Sequence, residues 1–169
     1  MEEIAALVEP HIPALRRYAW ALLRSDSAAD DLVQDCLERA IGRWHLRRPD
    51  GDLRAWLFTI MHNQFVSARR RDRRRGVEAS IDSLASEPAT MADQESVLAV
   101  HDVLDALRAL PDEQRVILLL VGVEAFSYQE AADILGIPIG TVMSRLSRGR
   151  ERLRLLLDAE GKAAVRRVK

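Results

Sequence analysis

The chain has 169 residues, 48% of them hydrophobic, and its 25 Lys and Arg against 26 Asp and Glu leave a net charge of −1. That length allows one domain or two small ones, the apolar share is ample for packed cores, and the near-neutral total is not that of a wholly basic nucleic-acid binder. A single cysteine, Cys36, excludes an internal disulfide, the four histidines (His11, His45, His62, His101) lack metal-ligand spacing, and no signal peptide or long apolar span is visible, so a soluble, cytoplasmic protein without metal or cofactor is expected.

In chain order, the pattern first predicts a short helix over 2–9, interrupted by Pro10 and restarted at Pro13. Leu15, Tyr18, Ala19, Leu22 and Leu23 then keep helical spacing to about Arg24. Residues 25–27 form a loop rich in capping side chains, and Asp30 and Asp31 fall in the first turn of the next helix, where carboxylates favour the positive end of the dipole. That helix, 28–44, carries an apolar stripe of Leu32, Val33, Cys36, Leu37, Ala40 and Ile41, which makes Cys36 a buried structural thiol. Asp31, Gln34, Asp35 and Glu38 form an acidic ridge beside it. Pro49-Asp50-Gly51 marks 45–52 as a loop. A long helix is expected over 53–75, with Leu53, Trp56, Leu57, Ile60, Met61 and Phe65 inward and six Arg among its last seven residues. Asn63, Gln64 and Ser67 lead into that basic end, a combination suited to nucleic acid.

The stretch 76–96 is rich in Ala, Ser and acids, contains Pro88 and has no period, so it reads as a flexible linker. Helical spacing returns over 97–110 through Val97, Val100, Val103, Leu104, Leu107 and Leu110, and a very apolar helix over 112–123 centres a second core. Ser127 with Glu130 three residues on is a capping box, Gly136 sits where a helix stops, and Pro138 and Gly140 shape a turn before a helix capped by Thr141. This last helix is two-faced. Val142, Leu146, Leu153, Leu156 and Leu157 share one side, while Arg145, Arg148, Arg150, Arg152 and Arg154 crowd the rest. A helix–turn–helix with Arg and Ser on its outer face fits the major groove of DNA, where an Arg fork can hold guanine O6 and N7. Residues after Asp158 are expected to fray. The fold class is therefore all-α: two small helical domains, 1–75 and 97–160, joined by a flexible linker, the second with a helix-turn-helix.

ADDLVQDCLERA in the first half, AWL with HN in the long helix, and LPDEQRVILLLVGVEAFSYQEAADILGIPIGTVMSRLSRGRERL in the second together resemble the extracytoplasmic-function sigma factors. These are small sigma-70-type bacterial transcription initiation factors that retain only regions two and four. The resemblance implies that Asp31, Leu32, Gln34, Asp35 and Glu38 meet the clamp helices of the largest subunit of RNA polymerase core. It implies a minus-ten element read by Trp56, Asn63, Arg69 and Arg70, with one base extruded into a pocket partly formed by residues 44–52, where Arg47 and Arg48 lie. It implies a minus-thirty-five element read by Thr141, Met143, Ser144, Arg145, Ser147 and Arg148. Met143 stands where relatives often have Arg, which removes one contact. The second half would also meet the beta-subunit flap, and an anti-sigma factor is an expected partner besides promoter DNA.

Two other classes fit less of the chain. A sigma-mimicking decoy that captures an anti-sigma factor has no need of both Arg clusters, and an ordinary helix-turn-helix regulator leaves the first half unexplained. No nucleophile–base pair appears, so an enzyme is the least expected class.

Overall fold

The computed structural model describes residues 2–76 and 94–167. The linker expected over 76–96 therefore lies almost entirely outside the described residues. Four helices make up the first half: α1, Glu2–Val8; α2, Ile12–Leu23; α3, Asp26–Gly42; and α4, Leu53–Arg74. Four more follow: α5, Gln94–Arg108; α6, Asp112–Leu118, continued by a π-helical turn Leu119–Val123; α7, Tyr128–Leu135; and α8, Ile139–Arg167. No helix among the described residues is long and apolar enough to cross a membrane.

Local chemistry sets the boundaries. A 3-10 turn, Glu9–His11, carries Pro10 between α1 and α2, since proline lacks the N–H that a continuous helix needs. Ser25 caps α3 by accepting from the Ala28 N–H, so the helix begins at Asp26, two residues before the expected start, and Asp52 caps α4 in the same way through Ala55. The capping box of Ser127 and Glu130 is present, and Gly136 closes α7 in the left-handed region at φ 63°. Thr141 is not a cap. The carbonyl of Pro138 accepts from both Thr141 and Val142 N–H, so α8 begins two residues earlier and Thr141 lies in its first turn. The helix also continues past Asp158 to Arg167 rather than fraying there.

The first core holds Leu15, Tyr18, Ala19, Leu22, Val33, Cys36, Ala40, Leu57, Met61 and Phe65, as periodicity indicated. Phe58, fully buried, was missed because its neighbour Trp56 occupied the expected stripe; Trp56 and Leu53 are only half-buried. Ile41, Val100 and Val103 are exposed, against expectation. Cys36 donates weakly to the Leu57 carbonyl, and burial pushes its thiol pKa up to about 12, which fits a structural role.

The two halves are two small helical domains that pack on one another. Buried side chains form one contiguous cluster from Val8 to Leu146, because α4 packs on α7 and α2 packs on α6 and its π turn. Tyr18 meets Phe58 edge-on at 5.2 Å, and Phe58 meets Phe126 of the second half at 5.0 Å. Tight geometry also fixes α8 on α6: a Cβ on Gly149 would stand 3.1 Å from Leu118 Cδ1 and 3.3 Å from Gln114 Cβ.

Two substitutions at Gly149 test that packing. Gly149→Ala gains about 1 kcal/mol of helix propensity and loses a similar amount to crowding, so its midpoint of thermal unfolding should barely move. Gly149→Val adds bulk without that gain and should cost about 1–3 kcal/mol, lowering the midpoint by several degrees. An unchanged midpoint for the Val variant would disprove the close approach.

Candidate nucleic-acid interface

The geometry of α8 follows from its burial pattern. Val142, Leu146 and Gly149 face the core, which turns Met143, Ser144, Ser147, Arg148 and Arg150 to solvent on the opposite side. Ser144 Oγ donates to the Thr141 carbonyl, while Arg148 donates from Nε to the Ser144 carbonyl at 3.2 Å and from Nη2 to Ser144 Oγ at 3.3 Å. Arg148 is thus laid back along the helix toward its N-terminus, the end that enters a groove. Arg145 points elsewhere. It sits at the edge of the buried face and pairs with Glu113 at 3.1 Å. Arg154 is taken up by Glu151 and Asp158 on its own helix. The lopsided basic face read from the sequence is therefore narrower than its Arg count.

In the first half, Asn63 is exposed at the mouth of a cavity of about 80 Å3, lined also by Arg39, Arg43, Ile60, Gln64 and Ser67. Arg39 lies in the last turn of α3 and Arg43 is its C-cap, and neither was singled out in the sequence. Residues 44–52 do not line this cavity. Trp44 stacks edge-on against Trp56 at 6.0 Å, and Arg47 lies over the Trp44 ring. Arg47 Nη1 also donates to the carbonyls of Arg48, Pro49 and Gly51, so its charge organises the loop instead of reaching outward. Arg48 is exposed and turned outward. On α3, Asp31, Gln34, Asp35 and Glu38 are exposed, with Gln34 donating to Glu38 at 3.0 Å, while Leu32 is buried beneath them and supports the ridge from inside.

Arg69 and Arg70 diverge. Arg70 is exposed, whereas Arg69 forms a bidentate pair with Asp112 of α6, 3.1 Å on both arms, and Asp112 also accepts from the buried Arg115. A cleft of about 260 Å3 opens here between α4 and the second half. His62, Arg69, Arg70, Arg73, Asp112, Glu113 and Arg145 supply its polar lining. The missed residues with the largest effect are Glu124, Arg17 and Arg54. Glu124 is 2% exposed and accepts from Arg17 Nε at 2.9 Å, Arg17 Nη2 at 2.8 Å and Arg54 Nη2 at 3.0 Å. A lone acid behind the apolar run VILLLVGV was the available signal.

Three comparisons bear on this arrangement. The family profiles described as "Sigma2 domain of PhyR" and "Sigma-70, region 4" match residues 8–62 and 101–153. The chain is 41% identical over 150 residues to the ECF RNA polymerase sigma factor EcfG of Rhodopseudomonas palustris (strain TIE-1), spanning 89% of this chain and 82% of that protein. Among solved structures, it is similar to the sigma factor RpoE in complex with the anti-sigma factor NepR from Bartonella quintana. That match has a TM-score of 0.80 and 37% identity, covering 94% of this chain and 98% of that one. It is also similar to CnrH in complex with the cytosolic domain of CnrY, with a TM-score of 0.70 and 28% identity over 92% and 88% of the two chains.

The cleft makes stability sensitive to pH. Burial lowers the His62 pKa to about 4, and its Nδ1 has no hydrogen-bond partner. An unfolded His titrates near 6.5, so between about pH 6.5 and 4 the unfolded chain binds the extra proton and stability falls as pH falls. The contribution is on the order of 3 kcal/mol when complete. His62→Gln should flatten that part of the stability–pH curve in chemical denaturation, leaving the carboxylate titrations common to both proteins. Curves that stay parallel through this window would refute the assignment.

Proposed function

Since the chain belongs to the extracytoplasmic-function sigma factors, non-enzymatic members of the sigma-70 family that direct RNA polymerase to promoters, we propose how its own residues divide that work. Residues 1–75 bind core polymerase and open the minus-ten element, and residues 97–160 read the minus-thirty-five element and meet the beta-subunit flap. The observation that carries this reading is the exposed stripe of Met143, Ser144, Ser147 and Arg148, set on a helix whose other face is locked into the core.

Each promoter contact has a physical basis. Arg148 offers a guanidinium already oriented by Ser144, so little rotamer freedom is lost when it bonds a base edge. Met143 offers only apolar contact, suited to a thymine methyl. Asn63 can donate and accept, as reading an extruded base requires, and Arg39 and Arg43 across its cavity suit flanking phosphates. Arg48 and Arg70, both exposed, suit further phosphate contacts, and the half-buried Trp56 packs edge-on against Trp44 of the loop. Asp31, Gln34, Asp35 and Glu38 form the polymerase-facing ridge, carried on the buried Leu32. Because the B. quintana relative is seen with the anti-sigma factor NepR, and CnrH with the cytosolic domain of CnrY, we infer an anti-sigma partner for this chain as well.

Run-off transcription with purified core polymerase tests the whole reading, since a decoy or an ordinary regulator yields no transcript. Within it, Arg148→Ala should cost about 1–3 kcal/mol of promoter affinity and relax selectivity at one minus-thirty-five base pair. Asn63→Ala should leave the circular dichroism unchanged and abolish discrimination at one position of a single-stranded minus-ten oligonucleotide. Unaltered base-preference profiles in both variants would rule out these roles.

A further inference from the structure

Helix α4 has two polar sides, and the proposed minus-ten contacts account for only one. Asn63, Gln64 and Ser67 open on the small cavity beside Arg39 and Arg43. His62, Val66, Arg69, Arg70 and Arg73 recur at three- and four-residue steps on another side and line the cleft of about 260 Å3. Asp112, Glu113 and Val116 of α6 form the opposite wall, which Leu135, Ile137 and Arg145 complete.

The charges in this cleft do not cancel. Arg69 is held by Asp112 and Arg145 by Glu113, each at 3.1 Å, and Asp112 also serves the buried Arg115. Arg70 and Arg73 line the same cleft, are exposed, and have no carboxylate partner among the described residues. Four guanidiniums against two carboxylates leave two positive charges facing one small volume. Part of the lining is apolar: Val66, Leu135 and Ile137 are half-buried there, beside the buried Phe65 and Val116. His62 adds one more group. Its Nδ1 is buried without a hydrogen-bond partner among the described residues, a state that is costly until something bonds it.

These features select a ligand class. Two forked, permanently charged side chains match a phosphate monoester, which carries close to two negative charges at pH 7 and offers several acceptor oxygens. A DNA backbone phosphate carries one charge, and a duplex cannot enter a space of about 260 Å3. Ligand pockets usually span about 300–1,000 Å3, so this one takes a compact molecule. We propose that the cleft between α4 and α6 binds a small phosphate monoester with a flat apolar body. Arg70 and Arg73 hold its phosphate, Val66, Leu135 and Ile137 cover its body, and His62 Nδ1 is hydrogen-bonded to it. Arg70 is the one residue shared with the proposed promoter contacts, so the ligand and a promoter phosphate compete for that side chain.

Titration of the full chain with phenyl phosphate, followed by calorimetry and by NMR of the His62 ring, is the test. Inorganic phosphate, which lacks the apolar body, and benzenesulfonate, which carries a single charge, are the comparison probes. Phenyl phosphate should bind about tenfold tighter than either, because only it uses both the guanidiniums and the apolar wall. It should also shift the His62 ring resonances and raise the unfolding midpoint as its concentration rises. Arg73→Ala alters an exposed position and should weaken binding about tenfold or more. Arg154→Ala removes the same charge outside the cleft, where Glu151 and Asp158 already hold it, and should leave binding unchanged. No binding, equal affinity for the three probes, or an equal response of the two variants overturns the site. Arg73 and His62 have no part in the proposed promoter contacts, so run-off transcription can succeed while this test fails, and the reverse.

Discussion

A carboxylate removed from water is costly, and Glu124 is tolerable inside this protein only because two guanidiniums come to it from elsewhere in the chain. The energetic weight is unequal. Arg17 keeps 54% of its side-chain surface in solvent, so its attraction is partly screened, while Arg54 is 30% exposed and backed by two aromatic rings. Together they satisfy three acceptor directions of the carboxylate and one of the carbonyl behind it. Leaving such a charge buried without partners costs about 3–5 kcal/mol, a large fraction of the stability of a domain this size. The packing of α2 and α4 on the second half, and the single continuous core that results, depend on that contact.

The same constraint shapes the charge of the DNA-binding surface. Composition suggests a protein with five Arg along its recognition helix, but the fold assigns those Arg to different tasks. Arg145 answers Glu113, Arg154 answers Glu151 and Asp158, and Arg148 is held ready by Ser144. Similarly, the Arg-rich end of α4 divides between Arg69, bound to Asp112, and Arg70, open to solvent. Counting charges along a helix overstates what a groove can meet, because intramolecular acids compete with phosphate for the same forks.

At the surface proposed for the minus-ten element the division of labour is between loop and helix. Residues 44–52 do not line the cavity at Asn63, where Arg47 has three carbonyl acceptors within its own loop and a Trp44 ring beneath it. A side chain with that many local partners does not extend. Arg39, in the last turn of α3, and Arg43, its C-cap, take the place opposite Asn63, just past the acidic ridge of the same helix.

Much of this was legible in the chain itself, for a shared reason. Helix periods, the proline at Pro10, the capping box of Ser127 and Glu130, and the left-handed stop at Gly136 are encoded by residues within one or two turns of one another. The family motifs are likewise contiguous runs. Expectations failed where a residue's neighbours are distant: Phe58 chosen over Trp56 for the core, Val100 and Val103 left in solvent, and Pro138 in place of Thr141 at the start of α8. Glu124 is the clearest case, 107 positions from Arg17 and 70 from Arg54. Local pattern determined which helices form and which family's motifs they carry. Only the tertiary structure decided how the halves join and which charges remain for DNA, because burial and ion pairing depend on distance in space, which sequence spacing does not encode.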